Sequence, residues 1–95
     1  MGELVYGHDE VPIHFDDRVL AHLQVVMIDK MRRGEKFPFT FLDSRHRERT
    51  LLFAPSTPVQ FVFSGNRHPR LNQGWLHRLA DRRGSVRVAD RPGAA

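Results

Sequence analysis

Apolar positions recur along this chain with two different periods. Val11, Ile13 and Phe15 alternate with Pro12 and His14, the two-residue repeat of a strand with one buried face. Glu3 to Tyr6 precedes them as a short apolar run, and Gly7-His8-Asp9 stands between as a turn, so the N-terminal stretch up to Phe15 predicts a β-hairpin. Pro12 has no N–H to give a ladder, which puts the second strand at an edge or bulge. The period then lengthens. Val19, Leu20, Leu23, Val26, Met27 and Met31 recur every three or four residues, the stripe of an amphipathic helix. Asp16 reads as its N-cap, with Phe15 and Leu20 as the flanking hydrophobic staple. The pattern ends near Arg33, and Gly34 supplies the stop.

Period two returns at Phe37, Phe39 and Phe41 and again at Val59, Phe61 and Phe63, with the stretch Thr50 to Ala54 between them. Asp43 to Arg47 and Pro55 to Pro58 are the turns between these strands. A polar loop from Ser64 to Arg70 follows. Asn72 then caps a short second helix, with Leu71 and Leu76 as a second staple and Trp75, Leu76 and Leu79 on its inner side. Ser85 to Ala89 reads as a final short edge strand. The predicted order is β-β-α-β-β-β-α with that last strand. Short turns make this an α+β domain, a small antiparallel sheet of about five strands with two helices on one face. Residues 1–89 form the single domain, and residues 90–95 read as a flexible tail.

Composition narrows the picture. Of 95 residues, 40% are hydrophobic, enough for one core and too many for a disordered chain. There are no cysteines, which excludes disulfides, thiolate nucleophiles and Cys-based zinc sites. The N-terminus lacks a secretory pattern, and the stretch from Val19 to Ile28, broken by His22 and Gln24, is far too short for a membrane span. A cytoplasmic location with no membrane role is the expectation. The net charge of +4 hides an asymmetry: residues 1–31 carry 2 basic and 6 acidic residues, whereas residues 32–95 carry 13 basic and 5 acidic. Thirteen of the 15 basic residues are Arg. That bias suits phosphate recognition, and equally follows from Arg-rich codon usage.

Two basic clusters are the candidate anion sites. Arg45, Arg47 and Arg49 flank the turn between two strands, where strand alternation would send all three to one side. Arg67, His68 and Arg70 precede the second helix, whose first backbone N–H groups attract anions. The outward positions of the strands include Pro12, His14, Thr40, Leu42, Gln60 and Val62. His14, Leu42 and Val62 mark this half-apolar face as a surface for a protein partner or a homodimer. His8, His14, His22, His46, His68 and His77 are scattered, with no His-x-x-x-His pair, so no metal site is expected. No P-loop, no Gly-x-Ser-x-Gly elbow and no nucleophile–base pairing is present, so no catalytic residue and no cofactor are expected.

Three stretches resemble a known group. They are Leu4-Val5-Tyr6-Gly7; Phe15-Asp16-Asp17-Arg18-Val19-Leu20-Ala21-His22-Leu23 with the later Met31-Arg32-Arg33-Gly34-Glu35; and Phe61-Val62-Phe63-Ser64-Gly65-Asn66-Arg67 leading to Leu71-Asn72. Together they resemble a family of small actinobacterial and actinophage-type proteins without an established function, often labelled ATP-dependent DNA ligase. The resemblance spans most of residues 1–80. It implies a small stand-alone domain with a loose association with DNA metabolism, and brings no catalytic residue. An adenylated ligase lysine sits in Lys-x-Asp-Gly; here Lys30 precedes Met31-Arg32-Arg33 and Lys36 precedes Phe37-Pro38-Phe39. The function expected is a non-enzymatic basic module that contacts nucleic-acid phosphates, with a protein-interaction module or homodimer as the alternative and a ligase-related role as the weakest reading.

Overall fold

The first two strands, β1 (Gly2–Tyr6) and β2 (Val11–Phe15), form the expected hairpin. Its turn is closed by the Glu10 N–H on the Gly7 carbonyl at 3.1 Å, with Gly7 and Glu10 both at positive φ. The structure is a computed structural model that describes residues 1–65, 69–79 and 86–88. Helix α1 (Asp17–Arg32) follows, then β3 (Phe37–Leu42), β4 (Glu48–Phe53), β5 (Val59–Val62), α2 (Gln73–Leu79) and β6 (Val86–Val88). The class is α+β and the element order is the one the sequence predicts. The tail at 90–95 lies outside the described residues.

The strands divide between two three-stranded sheets, β2-β1-β5 and β4-β3-β6, where the sequence pattern alone suggests one. The division falls at the connection after β4. The chain turns at Ala54–Thr57, where the Thr57 N–H bonds the Ala54 carbonyl at 2.9 Å, but it does not pair back on β4. Instead the Pro58 carbonyl accepts the Gly7 N–H at 2.8 Å, and β5 runs antiparallel to β1 with Phe61 opposite Leu4. The Tyr6 hydroxyl donates to the Leu52 carbonyl at 2.5 Å, which covers part of the β4 edge and ties the sheets together. Strand β6 takes the other edge of β3 and runs parallel to it. The long connection through β5 and α2 permits that direction, because parallel neighbours need a crossover rather than a hairpin.

The core lies where α1 meets the inner faces of both sheets. Leu4, Ile13 and Phe15 from one sheet join Phe37, Phe39, Phe41 and Phe53 from the other, and Val19, Leu20, Leu23, Val26 and Met27 from the helix. Phe15 reaches across, its ring 6.0 Å from Phe39 and 5.7 Å from Phe41, and Tyr6 lies 5.0 Å from Phe53. Such tilted and edge-on aromatic pairs favour one arrangement of the sheets over others, beyond simple area burial. Asp16 does occupy the N-cap, but its side chain makes no capping bond; its carbonyl starts the helix by accepting the Leu20 N–H. The neighbouring Asp17 carboxylate is used differently. It accepts the Ser64 hydroxyl at 2.7 Å and the Ser64 N–H at 3.2 Å, anchoring the end of β5 to the start of α1. At the other end Gly34 adopts φ +72° and its N–H caps the Met31 carbonyl, as its position in the sequence predicts.

Candidate functional site

The turn between β3 and β4 is organised by one carboxylate. Asp43 Oδ1 accepts the backbone N–H groups of Arg45 and Arg47, each at 2.9 Å. Its Oδ2 accepts Arg47 Nε at 3.1 Å. These donors, the Arg47 backbone N–H foremost, hold the Asp43 carboxyl below its ordinary value. The backbone closes the same turn through Asp43 N–H on the Arg47 carbonyl and His46 N–H on the Asp43 carbonyl, with His46 at φ +60°.

This geometry corrects the expected display of the three arginines. Strand β4 begins only at Glu48, so Arg45 and Arg47 belong to the turn and period-two alternation does not govern them. Arg47 is bound to Asp43. Arg49 is in the strand, opposite Phe41, with its guanidinium 5.7 Å from the Phe41 ring centroid. Arg45 and Arg49 are exposed and have no carboxylate partner among the described residues.

The second cluster is placed only in part. Arg67 and His68 lie outside the described residues. Arg70 is exposed on the segment leading into α2. The N-terminal end of α2 is less open to an anion than the sequence suggests. Trp75 N–H bonds the Asn72 side chain and carbonyl, Leu76 N–H bonds the same carbonyl, and Asn72 N–H is taken by a buried histidine. The proposed partner face also separates. His14 and Val62 both stand opposite Glu3, in one row across β2-β1-β5. Leu42 is on the other sheet, opposite Glu48.

The histidine that takes Asn72 is His22, and sequence reasoning gave it no role. It lies on α1, fully buried, with its Nδ1 2.6 Å from the Arg18 carbonyl and its Nε2 2.7 Å from Asn72 N. A backbone N–H can only donate, so Nε2 accepts and the proton sits on Nδ1, which donates to Arg18. Trp75 meets the ring edge-on at 4.9 Å. Lys30 is the second surprise, 5% exposed, with Nζ 3.4 Å from Glu35 and 5.8 Å from the centre of the Phe37 ring. The signal for both was their spacing. His22 falls three residues after Val19 and four before Val26, and Lys30 falls four after Val26, so both ride the apolar stripe. Among the described residues no group of three metal-ligating side chains is assembled.

Fold and surface together define a small α+β module with a carboxylate-braced cationic hairpin end and a histidine-latched second helix. The chain belongs to a family described as Domain of unknown function (DUF7882), whose model matches residues 1–89. No curated protein and no solved structure matches the chain. Among the described residues no helix is long and apolar enough to cross a membrane.

Proposed function

We propose that this chain is a non-enzymatic binding module whose β3–β4 hairpin end contacts nucleic-acid phosphates. The observation behind the reading is the state of the arginines there. Asp43 consumes Arg47 and fixes the turn, and the guanidiniums of Arg45 and Arg49 remain exposed without a carboxylate among the described residues. A turn whose backbone is already fixed loses little conformational freedom when its guanidiniums meet a phosphate backbone. Binding of this kind gives affinity without sequence preference. Arg70 and the undescribed Arg67 and His68 belong to the same reading as a second phosphate-binding group.

Fluorescence anisotropy with a short labelled DNA, single- and double-stranded, tests it. The expected result is binding that weakens steeply with salt. In the variant with Arg45→Ala and Arg49→Ala together, the slope of log K against log salt falls by about 0.7–0.9 for each phosphate no longer neutralised. Absence of binding at micromolar protein in low salt overturns the proposal, as does a double variant that binds like the parent.

A second reading, a protein-interaction module or homodimer, is favoured by one observation. Leu52 is 72% exposed and Leu42 52% exposed on the outer side of the β3–β4 hairpin, with Pro38 directly opposite Leu52. Light scattering on the parent and on Leu52→Lys distinguishes it, since only a dimer built on this face dissociates in the variant. Ligation, the role suggested by the family resemblance, has the least support: Lys36 precedes Phe37-Pro38, and Lys30 is buried between Glu35 and Phe37.

A further inference from the structure

A cavity lies between α1 and α2, away from the β3–β4 hairpin. Its volume is about 530 Å³. Pockets that hold small molecules span roughly 300–1,000 Å³ and combine an apolar lining with a few polar groups. Here the apolar part is Val25, Val26 and Ile28 of α1 with Leu76 of α2. Val25, which lines it, is 41% exposed.

The polar lining decides the class of ligand. Asp29, the one carboxylate lining the cavity among the described residues, is already held by Arg33 at 2.6 Å. Glu35 is shared by Lys30 at 3.4 Å and Arg33 at 3.2 Å. Arg32 lines the cavity, is exposed, and has no acid partner among the described residues. Lys30 also lines it, but its ammonium is buried on Glu35 and over the Phe37 ring, neither of which lines the cavity. The carbonyl end of α1 would ordinarily repel an anion. That end is covered, because the N–H groups of Arg33, Gly34 and Glu35 bond the carbonyls of Asp29, Lys30 and Met31. Among the described residues the one cation at the cavity without an acid partner is therefore Arg32, and it borders an apolar floor.

We infer that this cavity binds a small amphipathic carboxylate, its apolar part on Val25, Ile28 and Leu76 and its acid group at Arg32. The site is independent of the hairpin arginines, so it stands or falls separately from phosphate binding. The probe is decanoate, titrated into the full nitrogen-labelled chain and followed by two-dimensional amide NMR. The cationic decyltrimethylammonium ion serves as the control of equal chain length. The expected result is saturable shifts centred on Val25, Ile28, Arg32 and Leu76, with a Kd of about 1 mM or tighter. The control ion should leave these signals in place. Arg32→Glu, with its melting temperature measured alongside because a carboxylate in the last turn of α1 costs some stability, should weaken decanoate at least about tenfold by replacing attraction with repulsion. Four outcomes each overturn the inference: no saturable shift, shifts centred on Leu42 and Leu52 instead, equal binding of the cation, or an Arg32→Glu variant that binds decanoate like the parent.

Discussion

Replacing His22 with leucine separates the polar role of this residue from its packing role. The side chain is fully buried, and leucine fills a similar volume, so the cavity contribution is small. The hydrogen bonds are not equivalent. The Arg18 carbonyl keeps its ordinary helical partner, the backbone N–H four residues on, when the imidazole is removed. Asn72 N–H loses its acceptor at a part-buried position, the end of a helix with only seven residues. A donor stranded in that way costs about 1–2 kcal/mol. Removing the edge-on stacking of the ring on Trp75 adds about 0.5–1.5 kcal/mol. The sum is about 1.5–3.5 kcal/mol, and with about 4–8 °C per kcal/mol for a domain of this size the melting temperature should fall by roughly 6–28 °C. Urea and thermal unfolding measure this, and the sole tryptophan, Trp75, reports on α2 directly through its emission. A red shift under native conditions marks undocking of α2 before global unfolding. If His22→Leu unfolds within about 0.5 kcal/mol of the parent, the two bonds bring no net stability and the latch reasoning is wrong.

Two further expectations concern the ends of α1 and the hairpin turn. The Asp17 carboxyl is lowered from 3.8, first by the Ser64 hydroxyl and then by the Ser64 N–H, and the Asp43 carboxyl is lowered from the same value, first by the Arg47 N–H. Because the folded values lie below the unfolded one, the stability they contribute is present above about pH 4 and is lost as pH falls through the folded values. Urea midpoints between about pH 5 and pH 2 should therefore fall less steeply in Asp17→Asn and in Asp43→Asn than in the parent; parallel curves would refute the assignment. Gly2→Ala would set a Cβ 2.6 Å from Leu20 Cδ2, 2.6 Å from the Val62 carbonyl oxygen and 2.8 Å from Asp17 Oδ1. The leucine can turn but the carbonyl belongs to the β5 backbone, so a loss of about 1–3 kcal/mol is expected by thermal unfolding.

The elements were legible because their periods are clean. Three phenylalanines at alternate positions from Phe37 to Phe41 leave no reading but a strand with one buried face, and all three are buried. The α1 stripe and its Gly34 stop are equally direct. Pairing was not legible in the same way. Nothing in the local pattern of Val59 to Val62 says that its partner is β1 rather than β4, because that choice rests on contacts between segments far apart in the chain: the ladder from Glu3 opposite Val62 to Tyr6 opposite Val59, the Gly7–Pro58 bond and the Ser64–Asp17 bonds. The residues His14, Leu42 and Val62 are divided for this reason. Each is exposed, as alternation predicts, but the division of the sheets puts Leu42 on the other sheet. The arginines at the hairpin end depart from strand alternation for a different reason. Asp43 draws Arg45 N–H, Arg47 N–H and Arg47 Nε into one Asx-type turn, and a turn ignores strand alternation.

Helix α2 connects the buried histidine to the cavity. Seven residues are too few to hold a helix in water unaided, so α2 is helical because it docks. Its docking uses Leu79 in the core, Trp75 on the His22 ring, and the Asn72 bond to His22. Leu76, on the same helix, completes the apolar wall of the cavity. The cavity therefore exists as a site only in molecules with α2 docked. A ligand that binds there draws the equilibrium toward docking, and by linkage anything that undocks α2 weakens the ligand. His22 does not line the cavity, yet His22→Leu should lower decanoate affinity. The weakening grows with the fraction of undocked α2, and approaches about tenfold once docking has weakened by about 1.4 kcal/mol beyond its midpoint. Decanoate should in turn restore part of the blue-shifted Trp75 emission in that variant. A variant that shows the red shift but binds decanoate like the parent would separate the latch from the cavity, and Leu76 would then not be part of the wall that the ligand needs.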